Sequence, residues 1–161
     1  MQHLPKRLII AILVFSSAAI SGDSAAKKAP NFALKTNDGK TVELNKLKGK
    51  AVVINFWATW CGPCRAEIPS FLEVYEKYRA KGLEIVGVSM DEGGWTDVAP
   101  FIKQFNIAYP VVLGNERISR LYGGIQYYPT TVFIDKEGTI VDQHIGMMKK
   151  EDFEVKVKSI L

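Results

Sequence analysis

Apolar positions along the chain fall into runs whose length and period change from segment to segment. Ala51-Val52-Val53-Ile54-Asn55-Phe56-Trp57 is almost continuously apolar, and Leu83 to Met90 forms a second such run, the pattern of strands buried on both faces. Between them a helix opens at Arg65-Ala66-Glu67-Ile68 and runs to about Lys81, with Gly82 as its stop and Pro69 predicted to kink or divide it. Upstream, Phe32-Ala33-Leu34 and Thr41-Val42-Glu43-Leu44 flank the turn signal Asn37-Asp38-Gly39-Lys40 and predict a hairpin. Downstream come a helix from about Thr96 to Asn106, a short strand at Val111-Val112-Leu113 and a brief helix near Glu116 to Tyr122. Thr130 to Ile134 and Thr139-Ile140-Val141, joined by Asp135-Lys136-Glu137-Gly138, read as a second hairpin, and an amphipathic helix over about Lys149 to Ile160 closes the chain. Strands alternating with helices, then an antiparallel pair and a last helix, predict an α/β fold with a mixed central sheet flanked by helices.

The first residues follow a different pattern. Lys6 and Arg7 precede an apolar run from Leu8 to Ile20, and Ser21-Gly22-Asp23-Ser24-Ala25-Ala26 supplies small residues after it, which reads as a signal peptide over residues 1–26, cleaved after Gly22 or Ala26. Thirteen residues at helical rise span roughly 20 Å, short of the roughly 30 Å hydrocarbon core, so a retained membrane anchor is the weaker alternative. The rest, residues 27–161, suits one domain with one core. The whole chain carries 21 basic and 17 acidic residues, and without the leader 19 face 16. These charges are interspersed, as in Glu73-Val74-Tyr75-Glu76-Lys77-Tyr78-Arg79, so they predict solvated helix faces and no nucleic-acid partner.

The chain's two cysteines, Cys61 and Cys64, stand in Trp60-Cys61-Gly62-Pro63-Cys64, on the turn from the first apolar strand into the first helix. Free N–H groups and the dipole at a helix start stabilise a thiolate there, which makes Cys61 the predicted nucleophile. Cys64, one turn along, is placed to attack a mixed disulfide at Cys61 and release the partner. Gly62 is read as permitting a tight turn, and Pro63 as a residue whose fixed φ and missing N–H suit a helix start. A zinc site would need four ligands, and the only histidines are His3, in the leader, and the distant His144. A disulfide closing so short a loop would restrain little of the unfolded chain, so a purely structural bridge is also disfavoured. No cofactor is expected.

Phe56-Trp57-Ala58-Thr59-Trp60-Cys61-Gly62-Pro63-Cys64 resembles thioredoxin, and its continuation through Arg65-Ala66-Glu67-Ile68-Pro69 resembles the exported TlpA/ResA-type thiol-disulfide oxidoreductases, over about residues 30–161. The resemblance implies a thioredoxin-like fold with an N-terminal β-hairpin and a central strand–helix insertion around Val111 to Tyr122. It also implies that Pro129, in Tyr127-Tyr128-Pro129-Thr130-Thr131, is cis and packs beside the cysteines. The Tyr128 backbone could then pair with an extended substrate segment, and Trp60 could shield the disulfide and touch substrate. Tyr127 and Tyr128 read equally well as ordinary rim aromatics.

Resolution at Cys64 needs a proton acceptor. Thioredoxin supplies a buried aspartate on the strand before the motif, but Asn55 stands at the matching position here. Glu67 lies three residues beyond Cys64 on the same helical face and matches a glutamate of the TlpA/ResA-type proteins, so it is the candidate; its alternative is a first-turn acid favoured by the helix dipole. Arg65 offers the thiolate at most weak, solvent-screened help. His144 reads best as an ordinary strand residue.

These residues predict an exported, monomeric thiol-disulfide oxidoreductase that reduces protein disulfides. The resemblance suggests apocytochrome c as one substrate and a membrane thiol reductase as electron donor. Two other chemistries compete. Copper delivery would use both thiolates and His144, but the copper-binding relatives resemble C-x-x-x-C rather than C-x-x-C. A peroxiredoxin-like peroxidase would need P-x-x-x-T-x-x-C, a pattern the chain lacks.

Overall fold

The two long apolar runs become the centre of a sheet. The computed structural model describes residues 27–161, so the leader expected at residues 1–26 lies outside the described residues. β3 (Ala51–Trp57) and β4 (Leu83–Ser89) pair in parallel, each almost wholly buried, as expected of strands covered on both faces. β5 (Val111–Leu113) extends the parallel side, while β6 (Thr130–Ile134) and β7 (Ile140–Ile145) run antiparallel on the other, in the order β5-β4-β3-β6-β7. β1 (Ala33–Lys35) and β2 (Thr41–Glu43) form a separate hairpin at the predicted turn.

Alternation along β3 divides the core. Ala51, Val53 and Trp57 face α1 (Gly62–Tyr78), α2 (Trp95–Phe105) and α4 (Lys150–Ile160), where Phe71 stacks on Phe153 with ring centroids 3.8 Å apart. Val52, Ile54 and Phe56 face the hairpin side, covered by Phe32, Leu44 and α3 (Glu116–Leu121). The mixed sheet, the flanking helices, the N-terminal hairpin and the β5–α3 insertion all match the predicted fold class.

Three local expectations need correction. α1 is not divided: it continues through Pro69 to Tyr78, because one missing N–H costs less than the burial of Ile68, Phe71, Val74 and Tyr75 returns. A short 3-10 turn, Arg79–Lys81, then leads to Gly82, whose φ of 100° makes the stop. β7 extends to Ile145 rather than ending at Val141; its polar stretch Asp142-Gln143-His144 lies at a sheet edge, where polar side chains reach solvent.

The N-terminal residues tie onto β7. Ile140 N–H donates to the Lys27 carbonyl and Ala29 N–H to Gly138, both at 2.9 Å, so the chain enters beside the β6–β7 turn. Cys61 follows the opposite end of β3.

Candidate active site

β3 ends at Trp57, and the Ala58–Trp60 turn carries the chain onto α1, closed by a Cys61 N–H to Ala58 carbonyl bond of 3.1 Å. Cys61 is the N-cap of α1: its backbone is extended, and the Cys64 N–H donates to its sulfur at 3.2 Å. The two sulfurs form a disulfide with Cα atoms 5.3 Å apart, and both cysteines are nearly covered, 5% and 1% exposed. Pro63 is the second residue of α1, where its absent N–H costs nothing. Gly62 differs from expectation. Its φ is not positive and a Cβ there would meet nothing within 4 Å, so the turn does not require glycine and open space lies beside Cys61.

The Tyr128–Pro129 peptide is cis. Antiparallel pairing of Phe56 with Thr130 brings Pro129 opposite Trp57, at the end of β3 that leads to the cysteines. Trp60, 70% exposed, meets the Tyr128 ring edge-on at 5.9 Å. With Met90, Asp91 and Glu92 these rings line an open cleft of about 350 Å³. Trp57 by contrast is core, its ring packed at a tilt against Phe101 with centroids 4.9 Å apart.

Beneath Cys64, Glu67 is only 2% exposed. Its carboxylate accepts the Asn55 side-chain N–H at 3.0 Å and the Met148 backbone N–H at 3.3 Å. Burial, only partly offset by those two hydrogen bonds, pushes its pKa up to about 7. Such a carboxyl exchanges protons near neutral pH, which a first-turn acid in solvent would not do. Asn55 also donates to the Thr131 hydroxyl at 3.1 Å, so a residue that cannot titrate holds Glu67 between helix and sheet.

Arg65 turns away from the sulfurs: it lies over the Phe101 and Phe105 rings and donates to the Thr59 carbonyl at 3.3 Å. His144 pairs with Thr131 across β6 and β7, and among the described residues no three His, Cys, Asp or Glu side chains gather to hold a metal ion. Sequence reasoning missed Thr131, Met148 and Asp91. Thr131 becomes visible only once the β3–β6 register is known, and Met148 acts through its backbone. Asp91, an acid that follows directly on an apolar run, carries a weak local signal; it accepts from Thr59 and Ser89.

A thioredoxin-like sheet that presents a cysteine pair at a helix start, next to a cis-proline, defines a thiol-disulfide oxidoreductase. The relatives agree. The chain is 43% identical over 137 residues to the thiol-disulfide oxidoreductase ResA of Bacillus thuringiensis (strain Al Hakam), a match covering 83% of this chain and 77% of that one. It is 36% identical over 138 residues to the thioredoxin-like protein YneN of Bacillus subtilis (strain 168), covering 84% and 80%. Among solved structures, a thiol:disulfide interchange protein of the thioredoxin family from Chlorobium tepidum TLS superposes with a TM-score of 0.80 at 36% identity, covering 86% of this chain and 98% of that one. The chain belongs to the AhpC/TSA family, which matches residues 25–143.

Proposed function

We propose that this oxidoreductase works as a reductant of disulfides in exported proteins, with Cys61 attacking and Cys64 resolving. The observation that carries the assignment is Cys61 at the N-cap of α1, receiving the Cys64 N–H, while Cys64 lies one turn deeper on the Glu67 side. The Cys61 thiolate attacks one sulfur of a substrate disulfide, and the other leaves as a thiolate. Cys64 gives its proton to Glu67, directly or through water, and attacks the Cys61 sulfur. The second substrate sulfur departs, two electrons have passed to the substrate, and the Cys61–Cys64 disulfide remains.

The substrate enters as an extended segment beside Tyr128 and cis-Pro129, in the cleft that Trp60 and Tyr128 line, and passes over Gly62 and Pro63 at the start of α1. Apocytochrome c is one such substrate, and a membrane thiol reductase returns the dithiol. This extracytoplasmic assignment is supported by the leader pattern of residues 1–26. No helix among the described residues is long and apolar enough to cross a membrane.

Trapping tests the order of attack. Cys64→Ser should accumulate mixed disulfides through Cys61 with reducible protein substrates, and Cys61→Ser should accumulate none. Trapping through Cys64 alone would refute the assignment. A Cys61–Cys64 reduction potential near that of protein disulfide isomerase, about −180 mV, would reverse the proposed direction of electron flow.

A further inference from the structure

Asp91 takes no part in the dithiol cycle, yet it is 9% exposed and bound from several sides. Its two carboxylate oxygens accept the Thr59 N–H at 3.1 and 3.0 Å; one takes the Thr59 hydroxyl at 2.5 Å and the other the Ser89 hydroxyl at 2.8 Å. All these donors are neutral. Thr59 stands two residues before Cys61, inside the Ala58–Trp60 turn that sets the angle at which the chain enters α1. The Met90 N–H donates to the Trp57 carbonyl at 2.8 Å, so the segment holding Asp91 is itself fixed to the end of β3.

We propose that Asp91 is a positioning residue for the redox reaction: by accepting both polar hydrogens of Thr59, its carboxylate holds the Ala58–Trp60 turn in the shape that places the Cys61 sulfur at the N-cap of α1. The inference rests on Cys61 being the attacking sulfur. A thiolate gains from a helix start only while it stays over the free N–H groups, and a loosened turn gives that up. The negative charge of Asp91 acts in the opposite sense, since an anion near Cys61 disfavours the thiolate. Position and charge therefore predict opposite signs, and two variants separate them. Asp91→Ala removes both. Asp91→Asn removes the charge but keeps an oxygen for the Thr59 N–H; the hydroxyl facing that oxygen goes on donating, and the one facing the new NH2 can rotate to accept from it.

The experiment measures the rate of Cys61 alkylation in the reduced protein across pH, together with the reduction potential of the pair. Asp91→Ala should slow alkylation at pH 7 by about threefold and make the couple more reducing, because a less favoured thiolate favours the disulfide. Asp91→Asn should restore the wild-type rate or exceed it. Thr59→Val, which keeps the N–H and loses only the hydroxyl, should shift both readings in the direction of Asp91→Ala by a smaller amount, and it serves if Asp91→Ala does not fold. Equal acceleration in the Ala and Asn variants would show that Asp91 acts only as a charge. A lower melting temperature with unchanged rate and potential in Asp91→Ala and Thr59→Val would reduce it to a stability contact. Mapping the alkylated sulfur in the wild-type protein tests the underlying reading separately: if Cys64 reacts first, that reading fails before any variant is made.

Discussion

Glu67 keeps a carboxyl where water scarcely reaches, and the pH dependence of folding should reveal it. Its folded pKa of about 7 lies above the ordinary 4.5, so between those values the folded protein holds a proton that the unfolded chain releases. The associated stability is fully present below about pH 4.5 and is lost as pH rises through 7, at most about 3 kcal/mol. In the disulfide form, where neither thiol titrates, melting temperature should fall more between pH 5 and 7 for the wild type than for Glu67→Gln. Parallel curves would mean an ordinary carboxyl. Adding Asn55→Asp to Glu67→Gln should recover part of any lost turnover, since it returns a carboxyl to the Glu67 contact from the strand side. The Cys61–Cys64 spacing and the Glu67 offset were legible because they are local. Asp91 was not, because its meaning lies in contacts across a loop with Thr59.

Strands β3 and β4 were readable because burial on both faces writes an unbroken apolar run, whereas β7, at the edge, mixes polar and apolar residues and was read short. Gly87, in the middle of β4, is where an element reports on its neighbours. It lies opposite Asn55, and a Cβ there would stand 2.9 Å from the Trp57 Nε1 and 3.2 Å from the Tyr109 ring. The strand thus gives up a side chain so that two aromatic rings can lie against its backbone. Gly87→Ala should lower stability by about 1–3 kcal/mol, measured by denaturant unfolding of the oxidised protein. A change below 0.5 kcal/mol would show that the rings shift freely.

Across the whole molecule, chemistry and chain entry occupy opposite ends of the sheet. Lys27, Lys28 and Ala29 bind the β6–β7 turn, and Tyr122 donates its buried hydroxyl to the Pro30 carbonyl at 2.8 Å. A chain beginning at Asn31 should lose about 1–3 kcal/mol while its reduction potential stays at the value for residues 27–161; a shifted potential would tie the N-terminal strap to the site. The fold class was legible in the order of elements, but the strap was not, because Lys27–Pro30 carries no periodic pattern. The far end of the chain points the same way. α4 runs alongside α1 in the same direction, pairing Glu73 with Lys150 and Lys77 with Glu154, and so carries Leu161 away from the cysteines. An electrode, a bead or a fused partner attached at Lys27 or Leu161 therefore sits behind the molecule, leaving the end that carries the cysteine turn and Trp60 free as the contact tip of a probe.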